Sequence, residues 1–199
     1  MPNLISVTSK MPGGSTSFPI EFCRTGAKLA QVPGSACFDC YAGKGFYRMP
    51  YTERALRYRL NLWEEKPADW AQGLIEGINR KRKPMPFFRW FDSGDLQSLD
   101  MLKTIKSICK RTPDTKHWLP TKEYILARQA GKLPDNLVLR VSAPMVGTAP
   151  PIGFQNTSTI HKDKNIWGWG CPALRQGGSC GSCRKCWDRT VLNVSYPLH

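Results

Sequence analysis

No run of roughly 18 apolar residues occurs in the 199-residue chain, so the sequence offers nothing to cross a membrane. The opening MPNLISVTSKMPGG lacks a charged start followed by an apolar stretch, so no secretory signal is expected. No repeat at a fixed period and no low-complexity tract is found. Acidic residues are scarce: 15 Asp and Glu stand against 29 Lys and Arg, a net charge of +14 with a pI near 9.6. That excess points to polyanions, most often nucleic acid, or else to a basic surface with no defined partner. The densest run, Arg80-Lys81-Arg82-Lys83, is expected to end a helix, where cations favour the dipole.

What is present suffices for a core. A chain of this length buries roughly 70% of its unfolded surface, and an apolar share of 41% is ordinary for a folded protein. One domain over 1–199 is expected, in three parts: an irregular segment 1–50, a β/α core 51–145 and a loop-rich segment 146–199.

The eight cysteines need an explanation other than disulfides in a chain read as cytoplasmic. Seven fall into two groups, Cys23/Cys37/Cys40 and Cys171/Cys180/Cys183/Cys186. The eighth, Cys109, follows the helical spacing of Leu99, Leu102, Ile105 and Ile108, and reads as a core residue. Three thiolates in the first group leave one coordination position open. For zinc that means catalysis; for a four-iron cluster it leaves one iron free. His161 or a distant cysteine could instead close the site as a structural knuckle. The second group reads C-x8-C-x2-C-x2-C, closer to ferredoxin-like [4Fe-4S] binding than to a zinc ribbon, with zinc as the alternative metal. Trp167, Trp169 and Trp187 could shield a cluster, but ordinary core aromatics are the default reading.

Between the groups runs a β-α-β-α-β rhythm. Helices are expected over Thr52–Glu65, Asp69–Lys83, Leu99–Arg111 and Tyr124–Lys132, and strands in PFFRWFD, KHWLP and NLVLRVSAP. FPIEFC reads as an earlier strand ending at Cys23. TAPPIGFQNTSTIHKDK reads as a loop, WGWGC as a short strand and VLNVSYP as the last strand. Five or six strands do not close an eight-stranded barrel, so a partial, open parallel β/α barrel is expected. In RWFDSGDLQS, Asp92, Ser93, Gly94 and Asp95 fall just past a strand, where a carboxylate could bind an amine or a cation. Asp95 or Ser98 could equally cap the following helix.

Together SKMPGGS, CFDCYAGKGFYR, FRWFDSGDLQS, WLPTKE, NLVLRVSAPM and CGSCRKCWD…VSYPLH resemble the phage gene-product-88-like family over nearly the whole chain. That resemblance implies a phage-encoded protein working in a bacterial host cytoplasm. More distantly, Cys23, Cys37 and Cys40 are similar to the cysteine triad of radical SAM iron–sulfur enzymes, though the first spacing is thirteen residues here rather than three. This second resemblance implies a radical-SAM-like scaffold with one or two [4Fe-4S] clusters that cleaves S-adenosylmethionine. Ser93, Gly94 and Asp95 match the segment that holds the cofactor's amino group. Arg140 and Ser142 match positions that touch its ribose or carboxylate. The competing expectation is a non-catalytic, metal-stabilised module that binds nucleic acid or a host protein.

Overall fold

Parallel pairing dominates the structure, as the alternating helices and strands dictate. The computed structural model describes residues 3–80, 82, 84–162 and 166–198. Its strands are β1 (Ser6–Val7), β2 (Gly14–Thr16), β3 (Phe87–Trp90), β4 (Lys116–Thr121), β5 (Leu137–Ser142), β6 (Thr157–His161), β7 (Trp169–Gly170) and β8 (Asn193–Pro197). They form one sheet in the order β1-β2-β3-β4-β5-β6-β8-β7. β1 pairs antiparallel with β2, and the other pairings are parallel. The protein is therefore mixed α/β with a mostly parallel sheet.

Among the described residues, five α-helices accompany it: α1 (Arg24–Leu29), α2 (Pro50–Glu65), α3 (Pro67–Ile78), α4 (Leu99–Arg111) and α5 (Tyr124–Arg128). Pro50 and Pro67 open α2 and α3 at the first turn, where a missing N–H costs nothing. Ser98 caps α4, its Oγ accepting from Met101 N at 3.1 Å. The buried stripe of α4 is Met101, Leu102, Ile105, Ile108 and Cys109, so Cys109 is a core residue as its spacing suggests.

Strand alternation gives the sheet two unlike faces. One carries Phe88, Trp90, Leu119, Leu137, Leu139 and Val141 into the main core with Trp70, Leu74 and Ile78 of α3 and the α4 stripe. Among the described residues, the apolar cluster on the other face along β3–β5 contains no α-helix residue. The register sets Ser15, Arg89, Trp118 and Val138 there in one row across β2 to β5. The C-terminal segment packs onto this face through a second cluster of Trp118, Cys186, Trp187 and Val194.

Several local expectations need correction. FPIEFC is not a strand. Phe18 and Pro19 are buried, Ile20–Phe22 make a single 3-10 turn, and the real strand is the preceding Gly-Ser-Thr of β2. The stretch read as a loop contains β6, whose Thr and Ser side chains pair with other polar groups and so lack an apolar signature. Thr157 Oγ1 donates to Asn193 Oδ1 at 2.8 Å, and Thr159 Oγ1 to Ser195 Oγ at 3.0 Å. Helix α3 stops at Ile78, so exposed Arg80 and Arg82 follow it rather than end it; Lys81 and Lys83 lie outside the described residues. Helix α5 is a turn shorter than its sequence suggests. Of the three tryptophans, Trp187 is in the core, whereas Trp167 and Trp169 are each 44% exposed.

Candidate functional site

The first cysteine group sits over the C-terminal ends of β2 to β5. Cys23 is the N-cap residue of α1, and Ala27 N donates to its carbonyl at 3.0 Å. The loop before Cys37 is tied to the end of β5 by Ala36 N to Pro144 O at 2.8 Å and Val146 N to Gly34 O at 3.0 Å. These anchors bring the thiols together. A Cβ built on Gly26 would lie 3.6 Å from both Cys23 Sγ and Cys37 Sγ, which bounds their separation at twice that distance. Burial pushes the Cys23 thiol well up, reinforced by Asp95, Cys40 and Cys37 and opposed by Lys122. Cys37 is raised by burial too, with Lys122 beside it as the main opposing charge. Crowded, desolvated thiols of this kind hold their protons until a multivalent cation displaces them.

Asp95 stands next to this group, at the end of the β3 loop. Its carboxylate accepts from Leu96 N at 2.7 Å, Thr121 Oγ1 at 2.6 Å and Lys122 N at 2.8 Å. It does not cap α4; it joins the ends of β3 and β4. Burial raises its pKa to about 6 against the pull of these three bonds. Ser93 fixes the same loop, its Oγ donating to Phe18 O at 2.8 Å while Phe18 N donates to Ser93 O at 3.0 Å. Gly94 has φ +84°, and a Cβ there would meet Phe18 Cβ at 2.9 Å and Phe18 O at 3.1 Å, so no larger residue fits.

The second group gathers against the helix-free face. Cys171 N donates to Ser195 O at 2.8 Å, and Cys180 N donates to Lys10 O at 2.8 Å. Cys186 Sγ lies 3.3 Å from Tyr196 Oη. Burial lifts all three thiols, Cys186 to about 12, and each has another cysteine of the group among its electrostatic neighbours, Cys183 included. Among the described residues, no three His, Cys, Asp or Glu side chains stand close enough for one metal ion.

Arg140 is placed differently from its expected role. It is fully buried, and its Nε donates to Cys186 O, its Nη1 to Val191 O and Thr157 O, and its Nη2 to Lys185 O and Asp188 O, at 2.8–3.3 Å. All five N–H groups are used by main-chain carbonyls, which leaves none for a cofactor. Ser142 Oγ pairs with Ser158 Oγ at 2.9 Å, and His161 Nδ1 with Ser195 Oγ at 2.7 Å on β8.

Four residues near these groups escaped sequence reasoning: Lys122, Arg89, Tyr41 and Tyr47. Tyr47 Oη donates to Asp92 Oδ2 at 3.1 Å, and Tyr41 Oη donates to the carbonyl of Asp92. Tyr41 is 48% exposed, and its hydroxyl also accepts from Arg89 Nη2 at 3.3 Å. An arginine inside the aromatic run FFRWF was the one available signal, since a lone cation on a buried strand needs a reason.

A mostly parallel α/β sheet, with one cysteine group over its strand ends and another on its helix-free face, defines a thiol-rich α/β protein. Residues 3–150 match the family described as Gene product 88, well over half of the chain, and the chain belongs to that family. The matched stretch holds the first cysteine group, Asp95 and Arg140; the second cysteine group lies beyond it. No curated protein and no solved structure matches.

Proposed function

We propose that this is a phage-encoded iron–sulfur protein of the bacterial host cytoplasm, with a four-iron cluster on Cys23, Cys37 and Cys40 whose open iron faces Asp95 and Lys122. The observation that carries this reading is the electrostatic contact of all three thiols with one another, beside a buried carboxylate at the same strand ends. The donor set fits: three soft sulfurs with no fourth cysteine of the group suit a cluster with one iron free. Zinc, with the same three sulfurs and an open fourth position, is the alternative metal. Cys171, Cys180, Cys183 and Cys186 would hold a second cluster, with zinc as the alternative there.

A radical-SAM-like partial barrel is the scaffold we propose. Trp118 of β4 and Tyr196 of β8 have their ring centroids 6.3 Å apart with β5 and β6 between their strands. On a flat sheet those strands would be about 14 Å apart, so this contact favours strong curvature toward the helix-free face. On that scaffold a reduced cluster would supply the electron that cleaves S-adenosylmethionine. Ser93, Gly94 and Asp95 would shape the cofactor's amino end, and Ser142 would stand at a later strand end. Lys122 takes a place there that Arg140, fully engaged, does not.

The test is anaerobic purification or reconstitution with iron and sulfide, followed by iron, sulfide and zinc counts and the visible spectrum. A brown protein that yields 5′-deoxyadenosine on reduction with S-adenosylmethionine supports both parts. A loaded protein that neither binds nor cleaves the cofactor removes the catalytic part. A colourless protein with zinc alone removes the cluster.

One observation favours the non-catalytic reading. Phe38, Tyr51 and Phe46, the last 73% exposed, follow Cys37 along the chain with Lys44 and Arg48 among them, each paired to a carboxylate, Asp39 and Glu53. Aromatics interleaved with cations suit stacking on single-stranded nucleic acid, consistent with the +14 charge. Steeply salt-dependent retardation of DNA or RNA would support that role; absence of retardation at low salt would leave a host protein as the partner.

A further inference from the structure

We infer that the helix-free face of the sheet carries an oxyanion-binding site centred on Arg89, which takes the carboxylate or phosphate of a small ligand between the two cysteine groups. The inference goes beyond the cluster reading and does not depend on which metal the cysteines hold.

Arg89, half-buried on β3, is unlike the two buried arginines, Arg59 and Arg140. Arg140 has every N–H on a carbonyl, and Arg59 sets Nε and Nη2 on Asn3 O at 2.9 and 2.8 Å. Arg89 donates one bond, from Nη2 to Tyr41 Oη, and at 3.3 Å it is long. Its Nε is shut off from solvent with no acceptor. None of the ion pairs among the described residues includes it. A half-buried guanidinium whose Nε is cut off from solvent without an acceptor is costly unless something anionic completes it.

Asp92 supplies part of the counter-charge to Arg89, while the neighbours in its own row across the sheet offer donors. Ser15 pairs across β2–β3 with Arg89, and Arg89 pairs across β3–β4 with Trp118, so all three side chains leave the sheet in one row. The guanidinium lies 4.6 Å from the Trp118 ring, a stack that holds its plane in place. Ser15 Oγ and Trp118 Nε1 are both buried and unpartnered. The three groups thus offer a bidentate cation, a hydroxyl and an indole N–H, all able to donate.

The position links the two thiol groups. Tyr41, the residue after Cys40, bonds Arg89 on one side. On the other, Trp118 stacks on Tyr196, whose hydroxyl reaches Cys186. A ligand anchored by its oxyanion at Arg89 would have Tyr41 and the first group on one side and Trp118, Tyr196 and the second group on the other.

The test uses the full chain, purified anaerobically, titrated calorimetrically with inorganic phosphate and separately with acetate. One saturable site is expected, weakened at least about tenfold in Arg89→Met, as loss of a charge-assisted bidentate contact implies. Trp118→Phe, which keeps the ring and removes the N–H, should weaken binding about threefold to tenfold. Arg54→Met removes an exposed charge on α2 and should change nothing. Tighter phosphate than acetate identifies a phosphorylated ligand; the reverse identifies a carboxylate. The inference is overturned if neither anion binds saturably, or if Arg54→Met weakens binding as much as Arg89→Met. It is also overturned if Arg89→Met keeps its anion affinity but loses iron and sulfide, which would make Arg89 a counter-charge for the thiolates. Should Arg89→Met fail to fold, Trp118→Phe and Ser15→Ala decide: unchanged affinity in both overturns it. Iron and sulfide counts on each variant report the cluster reading separately.

Discussion

Arg140 Nε donates to the carbonyl oxygen of Cys186 at 3.0 Å, joining the middle of β5 to a residue 46 positions further on. The same guanidinium holds four more carbonyls between Thr157 and Val191. Removing it would strand those carbonyls in a buried place. Arg140→Met should therefore cost about 3–5 kcal/mol, and Arg140→Lys should not rescue it, because an ammonium cannot reproduce the five-donor fork. Urea unfolding followed by tryptophan fluorescence measures this; a loss below about 1 kcal/mol would contradict the clamp.

The C-terminal cysteines are expected to hold their own segment together. Changing Cys180, Cys183 or Cys186 to Ser should remove metal from the second group and most of the recoverable protein. The segment has short strands and few apolar anchors, and a structural metal site contributes on the order of 10 kcal/mol. Stable Ser variants with full metal content would show this to be wrong.

At the first group the outcome should differ. Cys37 is carried on a loop outside the main core, so Cys37→Ser should halve the iron content of a two-cluster protein while leaving its unfolding midpoint close to that of the parent. Gly26→Ala should act in the same direction, since its methyl would press on Cys23 Cβ at 3.0 Å and occupy space between the Cys23 and Cys37 sulfurs. Iron and sulfide analysis beside thermal unfolding distinguishes lost ligand from lost fold.

Gly94→Ala tests the loop that carries Asp95. The substitution forces a φ of +84° on a residue with a Cβ and presses that carbon on Phe18. A loss of about 1–3 kcal/mol is expected, with metal loading at the first group falling in parallel. An unchanged urea midpoint would mean that the loop relaxes without harm.

His117 governs part of the acid response. It is buried, with Nε2 2.8 Å from Thr112 Oγ1 and Nδ1 unpartnered, and burial holds its pKa down at about 3. The unfolded chain takes up this proton near pH 6.5, the folded chain only near 3. Its contribution to stability is complete above pH 6.5 and declines, by about 1.4 kcal/mol per unit, until the pH reaches 3. His117→Gln should flatten the acid limb between pH 6.5 and 4.5 relative to the parent. Parallel limbs in the two proteins would contradict this.

Much of this was legible before any coordinates. The α4 stripe and Cys109 follow from spacing alone, and β3, β4 and β5 stand out as apolar runs between helical patterns. β2 was hidden because Gly14, Ser15 and Thr16 are too few and too small to look like a strand, while FPIEFC beside them looks like one. β6 was hidden because its partners are hydroxyls and an amide, which leave no apolar alternation to read. At the site, cysteine spacing and the Asp95 loop were visible as sequence. Lys122 and Tyr41 became relevant only through folding: Lys122 stands beside Cys37, and Tyr41 bonds Arg89, though 85 and 48 positions separate the residues of each pair.

Arg140 lies inside the stretch that matches Gene product 88, whereas all of its acceptors lie past residue 150. The sheet accordingly offers no seam at that boundary. A version of the chain cut near residue 150 would expose β5 as a raw edge and leave a guanidinium with nothing to hold. The matched stretch and the segment after it are therefore one folding unit, and the first should not hold its structure without the second.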